Sequence, residues 1–148
     1  MSLKESLKEA QKDAMRAKDK LRLGTIRMAL AEIKQKEIDG KVELEDADVL
    51  AILTKMVKQR KDAMQQFEAA GREDLAEQER NETEVIHSFL PKALTSEELD
   101  ALIAEAMTNT GASGMQDMGK VMGWLKPKVQ GRTDMGELSK AIKAKLTA

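Results

Sequence analysis

The residues best suited to binding chemistry lie in the last third of this 148-residue chain. From Met115 to Ala148, seven basic side chains stand against three acidic ones, a net charge of +4, whereas the whole chain carries -1. Such a patch suits contacts with a phosphate backbone, although a solvated face is the default interpretation of so small an excess. The candidate nucleic-acid-binding residues are Lys120, Trp124, Lys126, Lys128, Arg132 and Lys143.

Two glycines and a tryptophan distinguish the predicted helix that carries most of these residues. Gly119 and Gly123 lie four apart, and each costs a helix about 1 kcal/mol relative to alanine. That cost indicates either close packing of another helix or close approach of a ligand backbone such as nucleic-acid phosphates. Trp124 lies off the apolar stripe, so its indole either stacks on a nucleobase or fills a seam between domains. The stripe predicted to face the core is Met115, Met118, Met122 and Leu125.

Enzymatic chemistry has little support in the sequence. The segment Gly114 to Lys120 has the spacing of a phosphate-binding loop, but Val121 stands where a hydroxyl would hold Mg²⁺. The chain has no cysteine, and its single histidine, His87, has no companion that would complete a metal site. The carboxylates of the fourth predicted helix are interpreted as a salt-bridged surface with Arg60 and Arg80 among their partners. We predict no catalytic residue, no cofactor and no metal ligand.

The composition predicts the elements that must position the basic residues. Two Phe, one Trp, no Tyr, ten Met and two Pro favour helices over strands. The sequence therefore predicts an all-α fold. Apolar residues at steps of three and four predict a first helix from about residue 3 to 17 and six more at about 19–39, 46–70, 72–89, 96–108, 115–125 and 134–146. Gly40 is the expected cap of the second helix.

Pro91 and the capping pattern that starts at Thr95 predict a domain boundary. We expect an N-terminal four-helix domain over residues 1–92 and a smaller three-helix domain over 93–148. In the first helix, Lys4, Lys8 and Lys12 lie four residues apart. We interpret this row as a solvated face paired with neighbouring acids, with a ridge that tracks phosphates as the alternative.

The sequence also predicts a compartment. The N-terminal residues lack the apolar run of a secretory signal, and no stretch approaches the length of a membrane span. We therefore expect a cytoplasmic protein with no membrane partner.

Motifs along the whole chain resemble the GatB/YqeY family. The matching stretches are Arg60-Lys61-Asp62-Ala63, Gly71 to Ala76, Phe89-Leu90-Pro91, Leu94-Thr95, Asp117 to Gly123, and Gly131-Arg132. The resemblance implies an N-terminal four-helix domain and a C-terminal three-helix domain. It also implies relatedness to the C-terminal tail of the GatB subunit of the tRNA-dependent amidotransferase, which amidates mischarged Glu-tRNA or Asp-tRNA with glutamine.

The family tail contacts tRNA near its elbow, while the chemistry belongs to other domains of that enzyme. Gly119 to Val121, Lys126, Lys128 and Gly131-Arg132 match the tail's glycine-bearing helix and the basic turn after it. The resemblance thus favours a non-catalytic module that binds tRNA or another structured RNA. Two alternatives remain open. One is an interaction module that docks on an aminoacyl-tRNA synthetase or amidotransferase complex through the charged fourth helix. The other is an accessory subunit that supports carbon–nitrogen ligase activity with glutamine as amido donor.

Overall fold

The regular structure of the chain is helical throughout the part that a computed structural model describes, residues 2–147. Seven α-helices and one short 3-10 helix lie in that range, with no strand, so the predicted all-α fold class is confirmed. The 3-10 helix spans Met115–Asp117. The α-helices are α1 (Leu3–Ala17), α2 (Lys20–Gly40), α3 (Asp46–Ala69), α4 (Glu73–His87), α5 (Ser96–Thr110), α6 (Met118–Val129) and α7 (Met135–Leu146).

The chain divides into two compact units, Met1–Pro91 and Lys92–Ala148, called here the N-terminal and C-terminal units. The first contains α1 to α4 and the second contains α5 to α7. Pro91 disfavours helix at the residue before it. Four residues later Thr95 opens α5 with a capping box, in which its Oγ1 accepts from the Glu98 amide at 3.1 Å and its own amide donates to Glu98 Oε1 at 3.3 Å.

Aliphatic side chains from all four helices form the core of the N-terminal unit. The members from α2 and α3 recur mainly at steps of three and four, which is the period that places them on one face, while α1 and α4 contribute one fully buried member each. Leu53 of α3 is fully inaccessible to solvent, and Leu7 of α1 is 1% exposed. The buried members of this core are Leu7, Ile26, Ala29, Ile33, Val49, Ile52, Leu53, Met56, Val57 and Ile86.

Helices α1 and α2 form an antiparallel hairpin with polar caps at its ends. Ser2 Oγ accepts from the Glu5 amide at 3.1 Å and starts α1, and Asp19 Oδ1 accepts from the Arg22 amide at 3.1 Å and starts α2. Lys18 joins the two helices in the left-handed conformation, with φ 57°. The first turn of α1 therefore lies beside the last turns of α2, where Lys4 Nζ meets Glu37 at 2.7 Å.

The end of α2 differs from the expected one. Gly40 lies inside the helix, and Lys41 is the residue in the left-handed conformation, with φ 53°. The carbonyl of Glu37 accepts from the Val42 amide at 3.2 Å, while its carboxylate accepts from the Leu44 amide at 2.9 Å. These contacts fix the loop after α2 and place the cap one residue later than the glycine indicated.

A second core lies within the C-terminal unit. Ile103 of α5, Leu125 of α6 and Leu138 of α7 are all fully inaccessible to solvent. Gly111 ends α5 in the left-handed conformation at φ 66°, where glycine avoids the steric cost of a side chain. Asp134 starts α7 by accepting from the Glu137 amide at 3.2 Å. The buried members are Ile103, Ala106, Val121, Leu125, Val129, Leu138, Ile142 and Leu146.

Helix α6 departs most from its predicted bounds. It begins at Met118 after the 3-10 helix, and it continues through Pro127 to Val129 instead of ending at Leu125. Pro127 has no N–H to donate to the Gly123 carbonyl, and both residues are exposed, so this missing hydrogen bond lies on the outer face of the helix. The buried stripe of α6 consists of Val121, Leu125 and Val129 and shares only Leu125 with the predicted stripe. Met115 is 42% exposed, and Met118 and Met122 pack at the edge of the core.

No helix within residues 2–147 combines the length and the apolar character needed to cross a bilayer.

Candidate nucleic-acid interface

Three of the predicted site residues follow one another along α6. Lys120, Trp124 and Lys128 are spaced four apart, which places them on one side of the helix. Trp124 is half-buried and packs against the C-terminal core. The Lys128 ammonium lies 3.9 Å from the centroid of the Trp124 ring, in the geometry of a cation–π contact. The structure therefore brings a cation and an indole together at the edge of the core.

An open strip lies beside this row. Apart from its chain neighbours and the backbone of α6 itself, a Cβ atom added to Gly119 or Gly123 would meet no described atom within 4 Å, and both glycines are exposed. Within the C-terminal unit no other helix packs closely against these glycines, so the prediction of close packing is wrong for this unit. Pro127 continues the strip one turn later. The backbone of α6 is thus open to approach from outside.

Lys126 forms the other border of the strip. At about 100° per residue, Lys126 lies about 20° from Gly119 on the side away from Lys120. Lys126 and Lys120 are both exposed, as are Gly119 and Gly123 between them. The strip is therefore bordered by positive charge on both sides, which would favour an anion lying along it.

Asp117 is a counter-ion for Lys120 that the sequence analysis missed. Its Oδ1 lies 3.8 Å from Lys120 Nζ, while its Oδ2 accepts from the Ser113 amide at 2.9 Å. The Ser113 amide is the main reason why the pKa of Asp117 is lower than usual, so this carboxylate stays ionised. The spacing of three residues was the available signal. Because Lys120 is 70% exposed, the pair restrains its side chain only weakly.

Arg132 forms two hydrogen bonds with the segment that precedes α5. Its Nε donates to the Lys92 carbonyl at 3.1 Å, and its carbonyl accepts from the Leu94 amide at 2.8 Å. These hydrogen bonds connect the start of the C-terminal unit to the turn before α7. The contacts join residues 38 to 40 positions apart, which no local pattern in the sequence reveals. The other guanidinium donors remain in a half-exposed side chain.

Lys143 lies apart from the residues of α6. It is exposed on α7, and within residues 2–147 no hydrogen bond or ion pair links its side chain to the α6 row. Its position in the last turn of α7 is favourable for a cation, because the helix dipole places negative charge there. Of the predicted site residues, the four that lie together on α6 are Lys120, Trp124, Lys126 and Lys128.

Helix α4 carries both an exposed charged face and one charge pair that is largely enclosed. Glu82 lies 3.6 Å from Arg60, and each side chain is only 12% exposed, so this pair is largely interior where a surface pair was expected. Arg80 binds Glu68 and Glu73 on the outside at 3.2 and 3.3 Å, as a salt-bridged surface would. His87 is exposed, and its pKa is lowered by desolvation and by nearby Lys61. In the part of the chain that is described, no three His, Asp or Glu side chains are grouped to hold a metal ion.

Comparison with known proteins identifies the family. The sequence profile described as Yqey-like protein matches residues 4–146, almost the full length of the chain. The chain belongs to the YqeY-like protein family. The family resemblance drawn from the sequence motifs is confirmed.

Three of the curated proteins to which the chain is similar come from fungi. The chain is 41% identical over 108 residues to altered inheritance of mitochondria protein 41 of Kluyveromyces lactis, covering 70% of this chain and 58% of that protein. The protein of the same name from Lachancea thermotolerans is 35% identical over 126 residues, with 80% of this chain and 67% of that protein covered. The one from Pyrenophora tritici-repentis is 31% identical over 134 residues, with 88% and 74% covered. The chain thus spans from somewhat over half to about three quarters of these relatives.

The names of these relatives correct the predicted compartment. Each is named as a mitochondrial protein, so the prediction of a cytoplasmic protein is wrong. The prediction rested on the lack of a secretory apolar run and of a membrane span. Neither feature separates one aqueous compartment from another, because a charge-balanced helical protein is compatible with each of them.

Proposed function

We propose that the C-terminal unit binds structured RNA, with transfer RNA as the foremost ligand, and that it does so without catalysis. The observation that carries this proposal is the open backbone strip of α6, at Gly119 and Gly123, between exposed lysines. A phosphate is wide and strongly hydrated, so it needs a surface where side chains do not obstruct its approach. Cations on both borders then supply the attraction.

The types of the surrounding residues favour recognition of the backbone over recognition of sequence. Lys120, Lys126 and Lys128 carry compact, mobile charges that can follow phosphates, and lysine lacks the rigid planar fork by which arginine reads guanine edges. Trp124 is the single aromatic residue of the unit, and its ring already carries the Lys128 ammonium. The Lys128 ammonium can contact either the Trp124 indole or a phosphate. A bound RNA would therefore compete with the indole for this ammonium.

The test is an anisotropy titration of the full chain with labelled bulk tRNA at several salt concentrations. If about four phosphates are neutralised, the logarithm of the binding constant falls against the logarithm of salt with a slope of about -3 to -4. The absence of binding at low salt would contradict the proposal.

A matched pair of variants localises the binding. Lys120→Glu with Lys126→Glu reverses both borders of the strip, and we expect it to weaken tRNA binding at least about tenfold because two phosphate contacts become repulsive. Lys55→Glu with Lys58→Glu changes the net charge equally, on exposed positions of α3 in the N-terminal unit. If both double variants lose affinity to the same extent, the attraction is a general charge effect and the assigned strip is wrong.

A further inference from the structure

The N-terminal unit has a cleft of its own between α1 and α2. The cleft has a volume of about 490 Å³, and four lysines form its rim while two aliphatic side chains lie at its floor. Those six residues are Lys4, Lys8, Lys12, Lys34, Leu30 and Ile33, and Gln11 and Glu37 complete the lining. Three of the lysines are spaced four apart on α1, so they form one edge of the cleft, and Lys34 of α2 faces them from the other edge.

The cleft carries an excess of positive charge, because four lysines and one carboxylate, that of Glu37, line it. Lys4 is neutralised, because its Nζ lies 2.7 Å from Glu37 and 3.2 Å from Glu43. Within residues 2–147, Lys8, Lys12 and Lys34 form no ion pair. The pairing with acids of α1 that the sequence favoured is thus wrong for Lys8 and Lys12. Three free ammonium groups converge around one cleft.

The apolar floor restricts what the occupant can be. Leu30 is half-buried and Ile33 is only 1% exposed, so the aliphatic carbon that the cleft offers between its cations is mainly that of Leu30. A nucleic-acid backbone does not use an aliphatic floor, and no aromatic side chain lines the described cleft for base stacking. A ligand that is apolar along its centre and negatively charged along its edges would satisfy both the floor and the rim.

The length of the cleft suits one face of a short helix. The α1 edge from Lys4 to Lys12 spans eight residues, or about 12 Å along the helix axis. That length accommodates about two turns of a third helix laid between α1 and α2, in the manner of a helix in a groove. We propose that this cleft is a docking site for an acidic amphipathic helix of a partner protein, with acidic side chains reaching Lys8, Lys12 and Lys34 and an apolar stripe resting on Leu30.

The experiment uses the full chain and synthetic 14-residue peptides labelled for fluorescence anisotropy. The probe has leucine at an i, i+3, i+4, i+7 stripe with glutamate on both flanks. One control peptide replaces every glutamate with glutamine, and a second has the probe's composition in an order that destroys the stripe. We expect the probe to bind at least about tenfold more tightly than either control, because each control lacks one of the two complementary features.

Variants of the chain then assign the site. Lys8→Glu with Lys12→Glu reverses two exposed rim charges, and we expect it to weaken binding of the probe about tenfold or more. The matched control, Lys55→Glu with Lys58→Glu, should change the affinity by less than about twofold. Thermal unfolding followed by circular dichroism verifies that both double variants are folded.

Several outcomes would overturn the docking site. If the probe and its glutamine control bind equally tightly, the lysines do not recognise acidic side chains. If the probe and the scrambled peptide bind equally tightly, the apolar floor does not contribute to binding. If the Lys8 and Lys12 variant loses tRNA binding and retains the probe, the row is a phosphate ridge. The Lys120 and Lys126 variant should bind the probe normally, so failure of the RNA proposal and failure of this one are distinguishable.

Discussion

Gly119 and Gly123 lower the stability of α6, but the proposed function needs them because they leave the helix backbone open. Each lowers helix propensity, and neither is needed for packing, since a Cβ atom would meet no described neighbour within 4 Å. Gly24 of α2 is equally open, and it lies in the N-terminal unit. The chain therefore supplies a natural control for separating backbone entropy from ligand access.

The first prediction concerns these three glycines. Gly119→Ala and Gly123→Ala should each raise the free energy of unfolding of the C-terminal unit by about 0.5–1 kcal/mol, measured by urea denaturation, because alanine restricts the unfolded chain and fits the helix. Gly24→Ala should give a similar gain in the N-terminal unit. Gly123→Leu should weaken tRNA binding while Gly24→Leu leaves it unchanged. Equal tRNA affinity for the two leucine variants would show that access to the α6 backbone is irrelevant.

Glu37 gives a second prediction at the residue scale. The Lys4 ammonium and the Leu44 amide hold the pKa of this carboxyl below its ordinary value of 4.5. The unfolded chain therefore binds a proton more readily than the native one, and this part of the stability is present above about pH 4.5 and is lost as the pH falls through the lower native pKa. Glu37→Gln should be less stable at pH 7 and should lose less stability between pH 5 and pH 3.

Urea denaturation across that pH range checks the prediction. Glu32→Gln is the control, because Glu32 lies on the same helix and forms no ion pair within residues 2–147. An acid dependence that is unchanged in Glu37→Gln would mean that the loop after α2 does not depend on this carboxylate.

At the scale of elements, α3 and α4 are joined by a charge pair that lies largely inside the protein. Arg60 Nη1 donates to the Met56 carbonyl at 3.3 Å, while its buried Nε has no hydrogen-bond partner and lies 3.6 Å from Glu82. Desolvation raises the pKa of Glu82, and the nearby Arg60 opposes that effect. Each charge therefore depends on the other to remain in this environment.

A double-mutant cycle tests that dependence. Arg60→Met leaves the Glu82 carboxylate without its counter-ion, and we expect a loss of about 2–4 kcal/mol at pH 7 because a poorly solvated charge remains. Combining Arg60→Met with Glu82→Leu removes both charges and should restore most of that loss. The measurement is the free energy of unfolding in urea. Additive losses in the double variant would mean that the two residues do not interact.

The helix ends also show what a sequence can predict at this scale. The α1 and α5 starts at Ser2 and Thr95 follow from capping residues three positions before a glutamate, which is a local signal. The extension of α6 beyond Pro127 was not predictable in this way, because Val129 is held by the tertiary core of its unit. Packing of that residue outweighs the loss of one hydrogen bond at an exposed carbonyl.

At the scale of the whole molecule, an almost neutral chain contains two cores and two local concentrations of positive charge. Composition and periodicity predicted the fold class and most of the helices, since both depend on residue types close in sequence. The predicted basic residues of α6 lie along one helix for the same reason. The cleft between α1 and α2 was missed, because Lys34 meets Lys8 and Lys12 only once the hairpin has formed.

Because each unit has its own core, a cavity in one core should lower the stability of that unit first. Leu138→Ala in α7 removes a fully buried side chain and should cost the C-terminal unit about 2–5 kcal/mol. Amide hydrogen exchange followed by NMR should then report faster exchange at Leu125 and Ile142, with protection retained at Leu53. Equal loss of protection at Leu53 would mean that the chain unfolds as a single cooperative body.

The composition of α6 also limits how its surface can be studied. The helix contains two glycines and an internal proline within twelve residues, so its intrinsic helix propensity is too low for it to be stable in isolation. A synthetic peptide of residues 115–130 should therefore be a random coil in water, and grafting the sequence onto an unrelated scaffold would not reproduce the strip. The surface is a property of the folded C-terminal unit, and any inhibitor or engineered mimic must reproduce the support beneath the helix as well as its exposed residues.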